Sequence, residues 1–369
     1  MSRFQPQPVR IFGSPRQYIQ GPGALSELGA IAERRGMQPL IVIDTEIRTM
    51  LGDAVTASFS KSPPVVAFSG EVTLQAIELL AEEGRALLSG LLPALVYGVG
   101  GGKTLDVAKG AALHLGADFV SVPTIASNDS PTGRAIAIYD EHHRLDRIEH
   151  IASSPEAVVV DTAVIARARA RFLRAGIGDA IAKKFEAERA SRDGALNFFG
   201  TPPLASALAL ADTCYGVLRR HGGAAMRAAE EHRVTADFEA VVEACLLMSG
   251  IAWESGGISL AHGVVRGIAR SPGAEASLHG EHVAYGLLVM HALDERPDAE
   301  ILDLIAFYSD IGQAITLKGL GLSRSDAAAI TQIASWAFDA PVNGNLLMST
   351  TEAAIRKAIA RVEQFTSGD

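Results

Sequence analysis

From its amino-terminal region through Val160 the chain alternates short β-branched runs with helical stretches, and from Asp161 onward that alternation stops. The runs are Leu40–Asp44, Val65–Phe68, Ala94–Tyr97, Phe119–Val122, Ala135–Tyr139 and Ala157–Val160, with helical periods such as Leu74–Leu88 and Thr104–Leu115 between several of them. Short apolar runs alternating with amphipathic stretches predict a parallel sheet covered by helices on both faces. Right-handed crossovers then align the carboxyl ends of the strands along one edge, where open α/β sheets take their ligands.

The second part reads as helix throughout: residues 163–174, 177–189, 204–219, 237–254 and 279–293, then a start marked by Pro297 with Asp298 and Glu300. A length of 369 residues suits two domains. The expected organisation is an α/β dinucleotide-binding domain over residues 1–161 and an all-α domain over 162–369, with the active-site cleft between them. No internal repeat interrupts this plan.

Composition narrows the function classes. With 48% apolar and 20% charged residues the chain is globular with a sizeable core. The mean hydropathy of +0.19 comes from Ala- and Leu-rich helices. No stretch approaches the ~20 apolar residues of a spanning helix. The opening MSRFQPQPVRIFG lacks the apolar core and cleavage site of a secretory signal, so the expected location is the cytoplasm. Cys214 and Cys245 lie in apolar helical patterns and form no CxxC pair, which points to buried free thiols and excludes a cysteine zinc site. A net charge of −9 argues against nucleic acid and anionic membrane surfaces as partners. A small molecule is the expected partner.

The loop Gly98-Val99-Gly100-Gly101-Gly102-Lys103-Thr104 follows a predicted strand and opens a predicted helix. Consecutive glycines let backbone N–H groups approach a phosphate at the positive end of the helix dipole. It is not a Walker A loop, because Tyr97 stands at the first glycine position, nor a standard GxGxxG, because Lys103 replaces the third glycine. A tight turn and a phosphate cradle are both consistent with the glycines alone; the strand-to-helix position favours the cradle. Asp44 ends the first strong strand, where an acid either caps the next helix or accepts from an adenosine ribose, which favours NAD over NADP. A second loop, residues 123–132, is rich in hydroxyls and carries the carboxylate Asp129.

Most of the ten histidines need no special role, and five suit surface positions: His142, His143 and His150 in a polar segment, His221 and His232 beside helix ends. Asp179, His262 and His279 differ, each set among small or apolar neighbours at an expected helix end. Two imidazoles and a carboxylate hold a divalent metal with a position left open. Buried histidines satisfied by the protein explain the same pattern, since nothing local forces three distant residues together.

Five ordered segments, GVGGGKTLDVAK (98–109), PTIASNDSPTG (123–133), RFLRAGIGDAIAKKFEA (171–187), ESGGISLAHG (254–263) and HGEHVAYG (279–286), resemble the glycerol dehydrogenases of the iron-containing alcohol dehydrogenase superfamily. The resemblance runs across nearly the whole chain. It implies NAD-dependent, zinc-assisted oxidation of a small polyol such as glycerol or a related vicinal diol to the hydroxyketone, by a homo-oligomer. It also implies Asp179, His262 and His279 as metal ligands, and places Gly102, Lys103, Asp106, Thr124, Ser127 and Tyr139 around the cofactor beside Gly100, Gly101 and Asp44. Asp129 is implied to contact substrate. Iron-dependent relatives carry a histidine four residues after the ligand aspartate; Lys183 stands there, which favours zinc over Fe2+. Gly133, Ala135 and Arg266 depart from the family pattern. Arg266, four residues after His262, shares a helix face with it and suits a charged alcohol such as glycerol 1-phosphate, unless it pairs with a surface carboxylate. A dehydroquinate-synthase-like lyase and a non-catalytic dinucleotide sensor are the rivals. His282, three residues after His279, suits either a proton-transfer role or a helix surface.

Overall fold

The computed structural model describes residues 9–91, 93–140, 145–322, 326–339 and 350–366. His142 and His143 lie outside the described residues. The described residues form two compact units: one within 14–173 and 224–250, the other within 9–13, 174–223 and 251–366.

The first unit is built on a six-stranded parallel sheet of β1 (Tyr18–Gly21), β2 (Gln38–Asp44), β3 (Val65–Phe68), β4 (Ala94–Gly100), β5 (Asp118–Pro123) and β8 (Ala157–Asp161), in the order β1-β8-β5-β4-β2-β3. The crossovers carry α1 (Leu28–Arg35), α2 (Thr45–Ala57), α3 (Leu74–Leu88) and α4 (Gly102–Leu115). The pleat sends successive residues to opposite faces. Leu40, Val42 and Val96 pack with Ile77, Leu80 and Leu105 on one side. Ile41, Ile43 and Tyr97 pack with Leu28, Ile31 and Val55 on the other. Burial on both faces explains why these strands read as unbroken apolar runs.

Two strands depart from the sequence expectation. The run at 135–139 does not join the parallel sheet; as β6 (Ala135–Tyr139) it pairs antiparallel with β7 (Leu145–His150) in a separate ribbon. The sixth parallel strand is instead β1, four residues long and paired with β8. Neither β1 (YIQG) nor β7 (LDRIEH) carries an apolar pattern, so hydrophobic periodicity passes over both.

Strand order reverses between β2 and β4, because β2 runs on to its outer neighbour β3 and the chain then returns to β4. At such a switch point the loops after the two strands diverge and open a crevice. Asp44 ends β2 and Gly100 ends β4.

No strand follows β8 among the described residues. The helices are α5 (Thr162–Arg167), α6 (Ala170–Arg192), α7 (Ala205–Glu230), α8 (Ala236–Glu243), α9 (Ser249–Gly256), α10 (Leu260–Ala269), α11 (His279–Leu293), α12 (Asp298–Asp310), α13 (Ala327–Phe338) and α14 (Glu352–Thr366). Residues 177–189 are not a separate helix but part of α6, so Asp179 lies inside a helix rather than at its start. His221 likewise sits within α7 rather than at its end. The division of the chain is also more interleaved than a cut at residue 161. Residues 224–250 pack with the α/β unit, and residues 9–13 belong with the helical one. None of the described helices is long and apolar enough to cross a membrane.

Candidate active site

In the α/β unit the glycine loop connects β4 to α4. A Cβ at Gly100 would lie 2.7 Å from the Thr104 Cβ, so only glycine lets the strand turn this tightly into the helix. Gly101 takes the N-cap position of α4 and offers no side chain to the first-turn N–H groups. A helix start left uncapped by its own side chain, at a sheet switch point, is a ready anion site. A Cβ at Gly102 would come within 3.2 Å of the Asn128 amide, which brings the second loop against the first. The backbone joins them too, Thr124 N–H donating to Gly100 C=O at 3.1 Å.

The other expected cofactor residues divide by environment. Asp44 caps α2, its Oδ1 accepting from the N–H groups of Glu46 and Ile47. Lys103 is exposed and paired with Glu71 at 2.8 Å. Asp106 is buried, and its carboxylate accepts from Ala137 N–H at 3.1 Å and from Lys109 Nζ at 3.3 Å. Burial raises its pKa from the ordinary carboxylate value, against the pull of Lys109. Lys109, fully buried, also donates to the carbonyls of Ser130 and Ala135. This pair ties α4 to the second loop and to β6, which makes Asp106 a brace for the loop. Ser127 and Tyr139 are half-buried, and burial pushes the Tyr139 phenol up to about 12.

Asp129 is buried and accepts from Ser249 Oγ at 2.9 Å. Ser249 opens α9 directly after a π-helical turn, Ala244–Met248, that follows α8. Thr132 Oγ1 donates to Leu246 C=O within that turn at 2.6 Å. A π turn displaces carbonyls from the regular ladder. Here one of them meets the loop that carries Asp129. Sequence periodicity reads residues 237–254 as one helix and misses this contact.

In the helical unit, Asp179, His262 and His279 come together, each offering one ligand atom, with these atoms all within 4.8 Å of one another. Asp179 comes from α6, His262 from the first turn of α10 and His279 from the first residue of α11. Small residues bring these helices close. A Cβ at Gly178 would meet Gly280 C=O at 2.6 Å, and one at Gly280 would meet Ala175 C=O at 1.9 Å. Gly178, beside Asp179, is thus a packing site inside α6.

Two residues complete the cluster. Glu186, fully buried on α6, accepts from the N–H groups of Ser259 and His262 and lies 2.7 Å from His262 Nδ1. Burial alone would raise its pKa, but His262 with its hydrogen bond, Lys183 and the Ser259 N–H hold it below the ordinary value. An ionised carboxylate only accepts, so Nδ1 of His262 is the donor in this contact, and Nε2 is the ring atom turned toward Asp179, 3.6 Å from its Oδ1. Lys183, also fully buried, places Nζ 2.5 Å from Asp179 Oδ1 and 3.4 Å from His262 Nε2. The Asp179 Oδ2 atom is buried with no hydrogen-bond partner among the described residues. A buried carboxylate with an unpartnered oxygen, clustered with two imidazoles, is a donor set that fits a divalent cation.

Arg266 is half-buried on α10, with no ion-pair or hydrogen-bond partner among the described residues. Burial, and then Arg270, lower its pKa. His282 is buried rather than on a helix surface, with Nε2 2.6 Å from Ser277 Oγ, and burial takes its pKa down to about 4.

The α/β unit is a doubly wound sheet with a glycine loop at its switch point, the arrangement of dinucleotide-binding folds, and the helical unit gathers a carboxylate and two imidazoles. Residues 15–162 match the family model of the iron-containing alcohol dehydrogenases. A glycerol dehydrogenase of Escherichia coli O6:H1 is 38% identical over 328 residues, covering 88% of this chain and 88% of that protein. A glycolaldehyde reductase of Halobacterium salinarum is 34% identical, covering 96% and 97%. The crystal structure of a probable glycerol dehydrogenase from Sinorhizobium meliloti 1021 superposes with a TM-score of 0.89 at 34% identity, covering 98% and 99%. The chain belongs to the iron-containing alcohol dehydrogenase family and is one of its oxidoreductases.

Proposed function

We propose that this enzyme oxidises a small polyol, glycerol or a related vicinal diol, to the hydroxyketone, with NAD as hydride acceptor and zinc at Asp179, His262 and His279. The observation that carries the reading is the clustering of those three side chains, with Asp179 Oδ2 buried and without a hydrogen-bond partner among the described residues. Zinc bound there supplies a Lewis acid that lowers the pKa of the substrate hydroxyl. Glu186 keeps Nε2 of His262 aimed at the cluster, and the family resemblance adds Asp129 as the contact for substrate hydroxyls. The Gly100–Gly102 loop receives the pyrophosphate, with Asp44 at the ribose and Thr124, Ser127 and Tyr139 beside the cofactor. Replacement of the additional histidine by Lys183 supports zinc over iron. Assembly as a homo-oligomer and a place in the cytoplasm belong to the same reading and rest on the resemblance.

Arg266 supports a second reading within the same chemistry. Its guanidinium has no ion-pair partner among the described residues, and it stands one helical turn after His262, where it suits a phosphorylated or carboxylated alcohol.

NADH formation at 340 nm on zinc-loaded protein, across glycerol, 1,2-propanediol, glycerol 1-phosphate and 2-hydroxy acids, decides between them. Turnover of neutral diols supports the first reading, and turnover restricted to charged alcohols supports the second. Absence of net NADH with every alcohol would point to the lyase alternative. Asp179→Asn is expected to lose zinc and at least ~1,000-fold in kcat while keeping its NAD affinity. Undiminished turnover by zinc-free Asp179→Asn would remove the metal from the mechanism.

A further inference from the structure

We propose that Lys183 gives the metal pocket a tethered cation of its own, so that a divalent ion enters only by displacing the Lys183 ammonium from Asp179 and His262. This rests on the metal reading of the triad and concerns what this chain does to it.

Lys183 follows Asp179 by one helical turn and is fully buried. Its ammonium sits 2.5 Å from Asp179 Oδ1 and 3.4 Å from His262 Nε2, so it touches two of the three side chains that would hold the metal. Glu186 engages Nδ1 of His262, which leaves Nε2 as the ring atom turned toward Asp179 and Lys183. An ammonium and a divalent ion therefore compete for the same ring edge and the same carboxylate. Lysine brings a compact point charge on a flexible stem, able to occupy such a place and to leave it.

Charge counting sharpens the consequence. Two buried carboxylates, Asp179 and Glu186, face one ammonium, Lys183, a formal sum of one negative charge. A divalent ion added with the ammonium in place makes the pocket net positive; the same ion added beside a neutral residue makes it neutral. Like charges a few ångströms apart in a poorly solvated site repel strongly. Lys183 thus weakens divalent binding, and in the metal-free protein it neutralises an Asp179 that would otherwise be buried without a counter-charge.

The test compares chelator-stripped wild type, Lys183→Met and Lys183→Gln. Zn2+ affinity is read by competition with a chromophoric chelator, and thermal unfolding is followed with and without Zn2+. Gln keeps an N–H for Asp179 and guards against failure of the Met variant to fold. Both variants are expected to bind Zn2+ at least about tenfold more tightly than wild type. Metal-free Lys183→Met is expected to melt below metal-free wild type, and Zn2+ to raise its Tm by more than it raises that of wild type. Equal Zn2+ affinity in all three proteins would overturn the proposal and leave the metal site standing. Failure of all three to take up Zn2+ beyond an Asp179→Asn control would overturn the proposal together with the metal reading beneath it.

Discussion

Glu186 stands behind His262 and accepts from its backbone N–H while facing its ring Nδ1. Outer-shell carboxylates of this kind fix the tautomer and raise the basicity of the ligand nitrogen, and losing one costs about 10- to 100-fold in metal affinity. Glu186→Gln is expected to show that loss in a zinc competition titration, because an amide can meet Nδ1 with its NH2 group as readily as with its oxygen. An unchanged affinity would mean that the α10 backbone alone orients the ring. The residues of this cluster differ in how far sequence reveals them. Asp179, His262 and His279 stand out as polar groups among small neighbours, but their meeting depends on helix packing that no local spacing encodes. Glu186 and Lys183 do leave a signal, since 179, 183 and 186 fall at i, i+4 and i+7 and therefore share one face of α6. Three charged residues along a face that is otherwise buried require a common partner. Asp44 and Asp106 are both visible in the sequence as acids near the glycine loop; the structure adds that Asp44 caps α2 and that Asp106 braces the second loop.

At the level of helices, the position of His279 depends on how α11 meets its neighbours. A Cβ on Gly280 would fall 1.9 Å from Ala175 C=O of α6, and one on Gly286 would fall 2.4 Å from Ala261 C=O of α10. Backbone cannot yield as a flexible side chain does, so Gly280→Ala must push α11 away from α6. Overpacking of this kind costs about 1–3 kcal/mol, occasionally more. A lowered Tm is expected together with weaker zinc binding, since His279 moves with the first turn of α11. A Tm loss with unchanged zinc affinity would show that His279 tolerates the shift. Sequence periodicity places most strands and helices well, because each buries a continuous apolar face. It fails where burial does not alternate with a simple period. The four-residue β1 draws its place from pairing with β8, β7 is charged and mostly exposed, and the π turn between α8 and α9 keeps helical composition while changing the hydrogen-bond ladder.

Along the described residues, the change of grammar at Asp161 marks the end of the strands but not the end of the α/β unit, which takes back residues 224–250. Those residues include Ser249 and the turn that holds Thr132, contacts between positions more than a hundred residues apart that only the fold reveals. The two units also differ in how they respond to acid. His282 and His291, both in the helical unit, are buried, and burial first of all takes each pKa from 6.5 down to about 4. Below pH 6.5 the unfolded chain binds protons that the folded chain refuses, so stability is complete above 6.5 and is lost as pH falls toward 4. Each histidine contributes up to about 3 kcal/mol. Glu186, held low, adds to the loss once pH falls below the ordinary carboxylate range. Asp294, raised by burial against the pull of Arg189, opposes it within the same unit. In the α/β unit Asp106 is also raised by burial and favours the acid side, while the half-buried His150 acts in the other direction with a smaller, solvent-screened effect. Acid is therefore expected to loosen the helical unit first. On chelator-treated protein, Tm should fall steadily from pH 6.5 to pH 4.5, and amide exchange at pH 5 should lose protection in α11 before β4 and β5. His291→Leu removes one of the two titrating groups and should cut the slope of the stability change to about half. An unaltered slope in that variant would mean that His291 is hydrated in solution, and that the acid sensitivity of the unit lies with His282 and the carboxylates.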